Sequence, residues 1–320
     1  MTMANLTVAV LGAPGYAAGL GKKGTASDLT FYNLKRGEHT VTFVEPTRYP
    51  ERIAPLFFAI SMADAVLLVV DEVNSGLGET ILLLDAMGIA EGDIIPRNYV
   101  DPARIRACVQ GTVLDQYRLS ADDPVRLREQ YFEAVEGVEA PSDPGKGTVV
   151  VDHAFHVKGI GPVALGRVCQ GEVHRHDQLV LLPGGETVQV RSIQRHDDDT
   201  ECAKTGDRVG VALKNVAADA LERGQVLTQD PNMHISSEIE GKVLLNRYWK
   251  IPLSIGMVVH LGHWMQFIPA RIHEVDDEDP RNPRIRLGLE KELVYLPGDR
   301  VMVHYLEGGT LRVAGVMHPE

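Results

Sequence analysis

The sequence predicts an α/β domain followed by two β-barrels, on three observations. Up to about residue 140, short apolar runs alternate with helical patterns. Beyond that point the hydrophobic period switches to two and stays there. Between the two regimes, APSDPGKG (Ala140–Gly147) has the composition of a linker.

In the first region LTVAVL (Leu6–Leu11), HTVTFVE (His39–Glu45), AVLLVVD (Ala65–Asp71) and GDIIPR (Gly92–Arg97) read as strands. ERIAPLFFAISMA (Glu51–Ala63) and GETILLLDAMG (Gly78–Gly88) between them read as helices. A further helix is expected after Ser27, a capping residue, because Leu29, Phe31, Tyr32 and Leu34 recur near helical spacing. A last strand, Thr112–Leu119, precedes a helix over Pro124–Val135 with proline in its first turn. Strands alternating with helices imply a parallel sheet covered on both faces.

In the second region TVVVDHAF, GPVALGRV, DQLVLLP, ETVQVRSIQ and DRVGVAL follow one another with turn residues between them, the pattern of an antiparallel barrel or sandwich. A second boundary falls at DPNMH (Asp230–His234). After it come GKVLL, SIGMVVHL, FIPARIHEV, RIRLGLE, DRVMVHYL and LRVAGVMH. Three domains are therefore expected, over residues 1–140, 145–230 and 231–320.

Composition narrows the class. The chain has 320 residues, of which 44% are apolar, enough for several cores. A net charge of −12 opposes a generally basic nucleic-acid binder, and no DNA partner is expected. Cys108, Cys169 and Cys202 lie far apart, so neither a disulfide framework nor a thiolate zinc site is suggested. No signal peptide is evident and no apolar run approaches the ~18 residues of a spanning helix. The expectation is a soluble, cytoplasmic protein without membrane contact.

LGAPGYAAGLGKKGTASD (Leu11–Asp28) has the parts of a phosphate-binding loop at the wrong spacing. Counted from Gly12, the pattern G-x-x-x-x-G-K-[ST] asks for Gly-Lys where the chain has Ala17 and Ala18. A Gly-Lys pair comes four residues late, as Gly21-Lys22, followed by Lys23, Gly24 and Thr25. Gly12, Gly21, Lys22, Lys23 and Thr25 are the candidate phosphate contacts. Downstream, Asn98 and Asp101 stand at the mutual spacing of the N-K-x-D guanine reader, with Tyr99 in place of lysine. An aspartate there accepts both N1–H and the N2 amino protons of guanine. Ser120 and Ala121 follow the last strand, where a backbone donor for guanine O6 is placed. An N-x-x-D sequence is also a common turn or helix cap.

The order of these motifs, with the β region behind them, resembles translational GTPases of the elongation factor Tu group. Among these, the chain is most similar to the selenocysteine-specific elongation factor and to an archaeal elongation factor Tu domain 2-like paralogue. DHAFHVKGIGPVALGRVCQGEV (Asp152–Val173), PGGETVQVRSIQRHDDD (Pro183–Asp199), GDRVGVAL (Gly206–Leu213) and LERGQVL (Leu221–Leu227) match the family's second domain in order. LEKELVYLPGDRVMVHYLEGGTLRVAGVM (Leu289–Met317) resembles the closing strands of its third. The resemblance implies an α/β P-loop GTPase-like domain followed by two β-barrel domains, GTP or GDP as ligand, and Mg²⁺ only where nucleotide binds. It also implies a place in the translation machinery, with the acyl end of a tRNA, or another RNA end, received between the first and second domains. Lys158, Arg167, Arg191, Arg195 and Arg223 in the second domain, and Arg312 in the third, are the candidate RNA contacts, since backbone phosphates need local positive charge. The alternative, which the sequence supports equally, is that several of these charges only solvate strand edges.

The departures lie where hydrolysis would occur. The family's D-x-x-G-H is Glu45-Pro46-Thr47-Arg48-Tyr49 here, so the glycine amide for the γ-phosphate and the histidine that places water are both replaced. Glu45 remains the candidate metal-facing carboxylate. Only 21 residues separate Lys23 from Glu45, too few for an effector loop. No catalytic residue is assigned, and little or no GTP hydrolysis is expected. Nucleotide binding is expected to be weak or lost. The alternative reading is a non-hydrolysing interaction module that kept the three-domain shape.

Other residues take a plainer reading. His174 and His176 would share a face, and a metal, if Glu172–His176 were extended; with no third ligand nearby in sequence, they read as an exposed hairpin. HDDD (His196–Asp199) and DDEDP (Asp276–Pro280) read as solvated turns. KGIGPVALG (Lys158–Gly166) spaces glycines loosely like a dinucleotide fingerprint but has no helix after it.

Overall fold

Val8, Ala9 and Val10 are fully buried, so the first strand has no face for water and belongs at the centre of a sheet. The computed structural model describes residues 5–37, 39–136, 145–195, 198–217, 220–276, 278–309 and 311–320. Its first sheet has seven strands: β1 (Asn5–Leu11), β2 (Lys22–Ala26), β3 (Leu29–Arg36), β4 (His39–Pro46), β5 (Ala65–Val70), β6 (Gly92–Pro96) and β7 (Arg118–Leu119). Their order is β2-β3-β4-β1-β5-β6-β7. From β4 to β7 all neighbours are parallel, while β2 and β3 run antiparallel along one edge.

Helices cover both faces. α1 (Ala54–Ser61), α2 (Ser75–Met87) and α3 (Pro102–Val109) bury Leu56, Ile60, Ile81, Leu84 and Ile105 against Ala9, Leu11 and Leu68. α4 (Pro124–Glu136) buries Leu127, Tyr131 and Val135 against Val8, Val10 and Leu67 on the other side.

Two expectations are corrected here. The helix after Ser27 does not form, and Leu29–Arg36 is β3. Phe31 packs into the core on one face of the sheet and Tyr32 into the core on the other, a period of two that prevails over the near-helical spacing. The strand over Thr112–Leu119 shrinks to Arg118–Leu119, because Val113–Gln116 closes a 3₁₀ turn capped by the Thr112 hydroxyl. That turn seats the Tyr117 ring against Gly92, where an added Cβ would lie 2.4 Å from it. α3 was not foreseen.

The second body contains β8 (Thr148–Val157), β9 (Gly161–Gln170), β10 (Glu172–His174), β11 (Gln178–Leu182), β12 (Glu186–Arg195), β13 (Asp198–Thr200), β14 (Cys202–Lys204), β15 (Arg208–Lys214) and β16 (Val226–Thr228). The order β11-β16-β8-β9-β15-β12, with β12 pairing back onto β11, closes a six-stranded barrel, while β10 and β14 form a separate ribbon. The third is a closed barrel, β17-β20-β19-β18-β21-β22. Its strands are β17 (His234–Leu245), β18 (Val258–His263), β19 (Gln266–Asp276), β20 (Arg284–Tyr295), β21 (Val301–His304) and β22 (Val313–Pro319). An α/β domain followed by two closed barrels is therefore the observed architecture. Within the expected linker, residues 140–144 lie outside the described residues, as do His196 and Asp197 of HDDD and Asp277 of DDEDP. No helix among the described residues is long and apolar enough to cross a membrane.

α1 is the pivot between the bodies. Phe57 and Phe58 share one buried apolar cluster with Val150, Leu182 and Val226 of the second body and Met302 and Val313 of the third. The Phe57 ring meets the His304 ring edge-on, with centroids 5.6 Å apart. His304 is wholly buried, and neither ring nitrogen has a hydrogen-bond partner among the described residues. Burial pushes its pKa down to about 3, helped by the nearby His260 and Arg312.

An unfolded histidine titrates near 6.5, so below that pH the unfolded state binds a proton that folded His304 refuses. Stability is therefore full above pH 6.5 and falls as the pH drops toward 3, by a few kcal/mol in all. Urea denaturation across pH 4–7 checks this: His304→Leu should flatten the slope, and an unchanged slope would contradict the assignment.

Candidate functional site

β1 delivers the chain into a tight loop at the carboxyl end of the sheet. Gly12 has φ +91°, and a Cβ there would lie 2.1 Å from the Val69 carbonyl oxygen, so only glycine fits. Gly15, at φ +85°, opens a single 3₁₀ turn over Tyr16–Gly19 where the phosphate-loop pattern requires a helix. The backbone amides of Gly15, Tyr16 and Ala17 all act on one group, the carboxylate of Glu45 at the end of β4. The Ala17 N–H lies 3.5 Å from Glu45 Oε1. Successive amides in such a turn form a nest for an anion. Here the anion is the chain's own side chain, 5% exposed. Burial raises the Glu45 pKa, against the pull of the three amides.

Lys22, Lys23 and Thr25 are exposed on β2, the outer strand of the sheet. That edge lies three strand spacings from β1, or roughly 14 Å at ~4.8 Å each. Gly21 packs against the Asn33 backbone, 3.0 Å from an ideal Cβ. The structure thus takes both lysines out of the loop, because the expected helix is a strand. It also turns Glu45 into the nest rather than toward a metal. Tyr49, in the place of the water-orienting histidine, donates its hydroxyl to the Gly76 carbonyl at 2.8 Å. Between them lies a cavity of about 170 Å³ lined by Gly12, Glu45, Tyr49, Asp71, Asn74 and Thr80.

The base-reading residues are engaged otherwise. Asp101 accepts the Ala103 N–H at 2.9 Å and caps α3, while Asn98 and Tyr99 both adopt left-handed backbone and are exposed. Ser120 Oγ donates to the wholly buried Asp93 at 2.7 Å, and its N–H is bound to the Ile94 carbonyl. Ala121 follows on an exposed turn. A cluster that the motif search missed joins the phosphate loop to the base loops. The Tyr16 hydroxyl donates to Asp122 at 2.7 Å, and Arg97 lies 3.1 Å from Asp122 and 3.6 Å from Asp71. The filled nest, the loop without lysine, the capping Asp101 and the tied Tyr49 do not fit a Mg²⁺-guanine nucleotide.

Of the six candidate RNA contacts, four are committed to the fold. Arg167 donates to the Met62 carbonyl at 2.7 Å and pairs with Asp64, both in the first domain. Arg223 makes a two-pronged pair with Asp28, both contacts 2.7 Å. Arg312 grips Glu79 of α2 at 3.1 and 2.6 Å and the Pro50 carbonyl at 2.9 Å. Arg195 forms a buried pair with Asp207 at 2.9 Å inside the second body. All four guanidinium groups are thus paired within the fold. Lys158 is exposed at the β8–β9 turn, and Arg191 donates to the Ile160 carbonyl of the same turn at 2.5 Å. The acidic partners lie 103, 195 and 233 positions away from their arginines, and nothing local in the sequence marks them.

Comparison with known proteins agrees with this architecture. Residues 161–228 match the family model Elongation factor Tu domain 2. The chain is 35% identical over 316 residues to Uncharacterized protein MJ0325 of Methanocaldococcus jannaschii, covering 98% of this chain and 99% of that one. It is 27% identical to the selenocysteine-specific elongation factor of the same organism, over 92% of this chain and 71% of the relative. The crystal structure of translation elongation factor SelB from Methanococcus maripaludis in complex with a GTP analogue superposes with a TM-score of 0.84, covering 100% of this chain and 80% of that one, at 23% identity. The chain belongs to the elongation factor Tu and selenocysteine-specific elongation factor group of translational GTPases.

Removing one partner of a buried pair strands the other charge. Arg312→Met leaves the Glu79 carboxylate, 2% exposed, without its guanidinium, and should cost about 3 kcal/mol in urea denaturation. Adding Glu79→Gln should restore most of that loss; a single variant as stable as the parent would refute the role given to the pair.

Proposed function

We propose that the chain is an elongation-factor-shaped binding module that holds guanine nucleotide weakly or not at all, runs no GTP hydrolysis cycle, and receives an aminoacyl-tRNA or other RNA end. The observation that carries the first part is the Glu45 carboxylate seated among the amides of Gly15, Tyr16 and Ala17. A phosphate entering that nest must first expel a bound carboxylate, and no loop lysine offsets the repulsion. The replaced Gly and His at Arg48 and Tyr49 remove two contacts whose counterparts elsewhere are worth roughly 10²–10³ in rate each.

The second part is supported by the β8–β9 turn. Phe155 and Ile160 are 40% and 42% exposed there, with exposed His153, His156 and Lys158 beside them and the His153 ring 6.1 Å from that of Phe155. Exposed aromatic rings beside a cation are what unstacked bases bind. In this reading the protein works in the cytoplasm with the translation machinery, its units being residues 1–140, 145–230 and 231–320. Mg²⁺ has no role unless nucleotide binds.

Equilibrium binding of labelled GDP and GTP tests the first part. Dissociation constants weaker than about 1 mM are expected for the parent chain, and Glu45→Ala should strengthen pyrophosphate binding by about tenfold or more. Tight, Mg²⁺-dependent GTP binding by the parent would overturn the reading. Gel shifts with charged and uncharged tRNA at low and moderate salt test the second part. Replacing Phe155 and Lys158 together with alanine should weaken binding by about tenfold. Undetectable affinity would leave the protein-interaction module in its place.

A further inference from the structure

We propose that Glu172, His174 and Cys202 form a zinc site on the β10–β14 ribbon of the second barrel. β10 and β14 pair antiparallel with His174 directly opposite Cys202 and Glu172 opposite Lys204. Glu172 and His174, two residues apart on one strand, point to the same side as Cys202 across the ladder. Their ligand atoms all lie within 4.8 Å of one another.

The spacing suits tetrahedral zinc. Glu172 Oε2 is 3.7 Å from His174 Nε2 and 3.7 Å from Cys202 Sγ. Zinc bonds of about 2.0–2.3 Å at tetrahedral angles require ligand separations of roughly 3.4–3.6 Å, so these two pairs need close by only a few tenths of an ångström, and the imidazole–thiol pair, within 4.8 Å, by no more than about 1.2 Å. A thiol, an imidazole and one carboxylate oxygen are the donor set that zinc selects.

The surroundings support the trio. Lys204 Nζ holds the other carboxylate oxygen, Oε1, at 2.8 Å, and so leaves Oε2 turned to the imidazole and thiol. That ion pair accounts for Oε1; on Oε2 the Cys202 thiol donates a weak hydrogen bond and the imidazole stands at the same distance, which brings two zinc donors onto one carboxylate oxygen. On the far side of the ring, His174 Nδ1 lies 3.9 Å from Asp177 Oδ2, which also accepts the His174 N–H at 2.7 Å. A closure of about 1 Å would let that carboxylate accept Nδ1–H and fix the tautomer that presents Nε2 to a metal. His174 is exposed, so the ion has an entry path. His176 takes left-handed backbone at φ +73° and stands outside the cluster. Binding replaces the thiol proton with the metal: Zn²⁺ and Cys–SH give the zinc thiolate and one released proton.

Co²⁺ titration of the full chain tests the proposal, because thiolate-bound tetrahedral Co²⁺ gives a near-ultraviolet charge-transfer band and intense visible bands. One Co²⁺ per chain is expected, displaced by Zn²⁺ and accompanied by proton release. The charge-transfer band should vanish in Cys202→Ser and persist in Cys108→Ser and Cys169→Ser. Asp177→Asn should weaken binding by about tenfold or more. Circular dichroism verifies that each variant is folded. No saturable band by about 100 µM Co²⁺, or a band that survives Cys202→Ser in folded protein, would overturn the site.

Discussion

Among the described residues, three arginines from the barrels pair with carboxylates of the first domain, and the arrangement of the molecule depends on where they land. Arg167 takes Asp64 and the Met62 carbonyl, Arg223 takes Asp28, and Arg312 takes Glu79. Such pairs supply little net free energy, since each charge loses water as it gains a partner. The attraction comes from the apolar cluster around Phe57 and Phe58, which spans all three bodies. What the pairs supply is orientation: a bidentate guanidinium–carboxylate contact is satisfied in one geometry and stranded in others. The apolar cluster makes the domains dock, and the arginines decide how.

The same residues bear on ligand binding. Asp28 ends the turn between β2 and β3, and Glu79 lies in α2 beside the cavity lined by Tyr49 and Thr80. The elements around the loop are thus tied to the barrels through side chains, and the loop itself is tied to Glu45. The Glu45 carboxylate faces the loop amides, Asp122 accepts the Tyr16 hydroxyl beside Arg97, and Asp101 caps a helix. The architecture of the group persists while its anion site is satisfied from within.

How much of this was legible in the sequence follows from the range of each signal. The two barrels were legible because alternation is local and repeated many times. The α/β order was legible because β5 is a continuous apolar run and β1 and β6 are largely apolar, as strands buried on both faces tend to be. β3 was misread because Leu29, Phe31, Tyr32 and Leu34 satisfy helical and strand patterns about equally, and only the two cores on opposite faces decide between them. Asp101 beside Pro102 carried a cap signal as strong as its guanine-reading one. The loop's failed spacing was visible, but not its replacement, since three backbone amides closing on Glu45 leave no trace in residue order. The arginine ties and the Cys202–His174 pairing were invisible for the same reason: their partners meet only once the strands are in register.

The central claim is that the three bodies hold one arrangement that guanine nucleotide does not alter. Its most direct measurement is the distance distribution between spin labels at Arg126→Cys on α4 and Lys158→Cys at the β8–β9 turn, with the three native cysteines replaced by serine. Both positions are exposed and lie in different bodies. The account predicts a single narrow distribution, superimposable with and without a large excess of Mg²⁺ and a non-hydrolysable GTP analogue. A shifted mean or a second population on adding the analogue would contradict it.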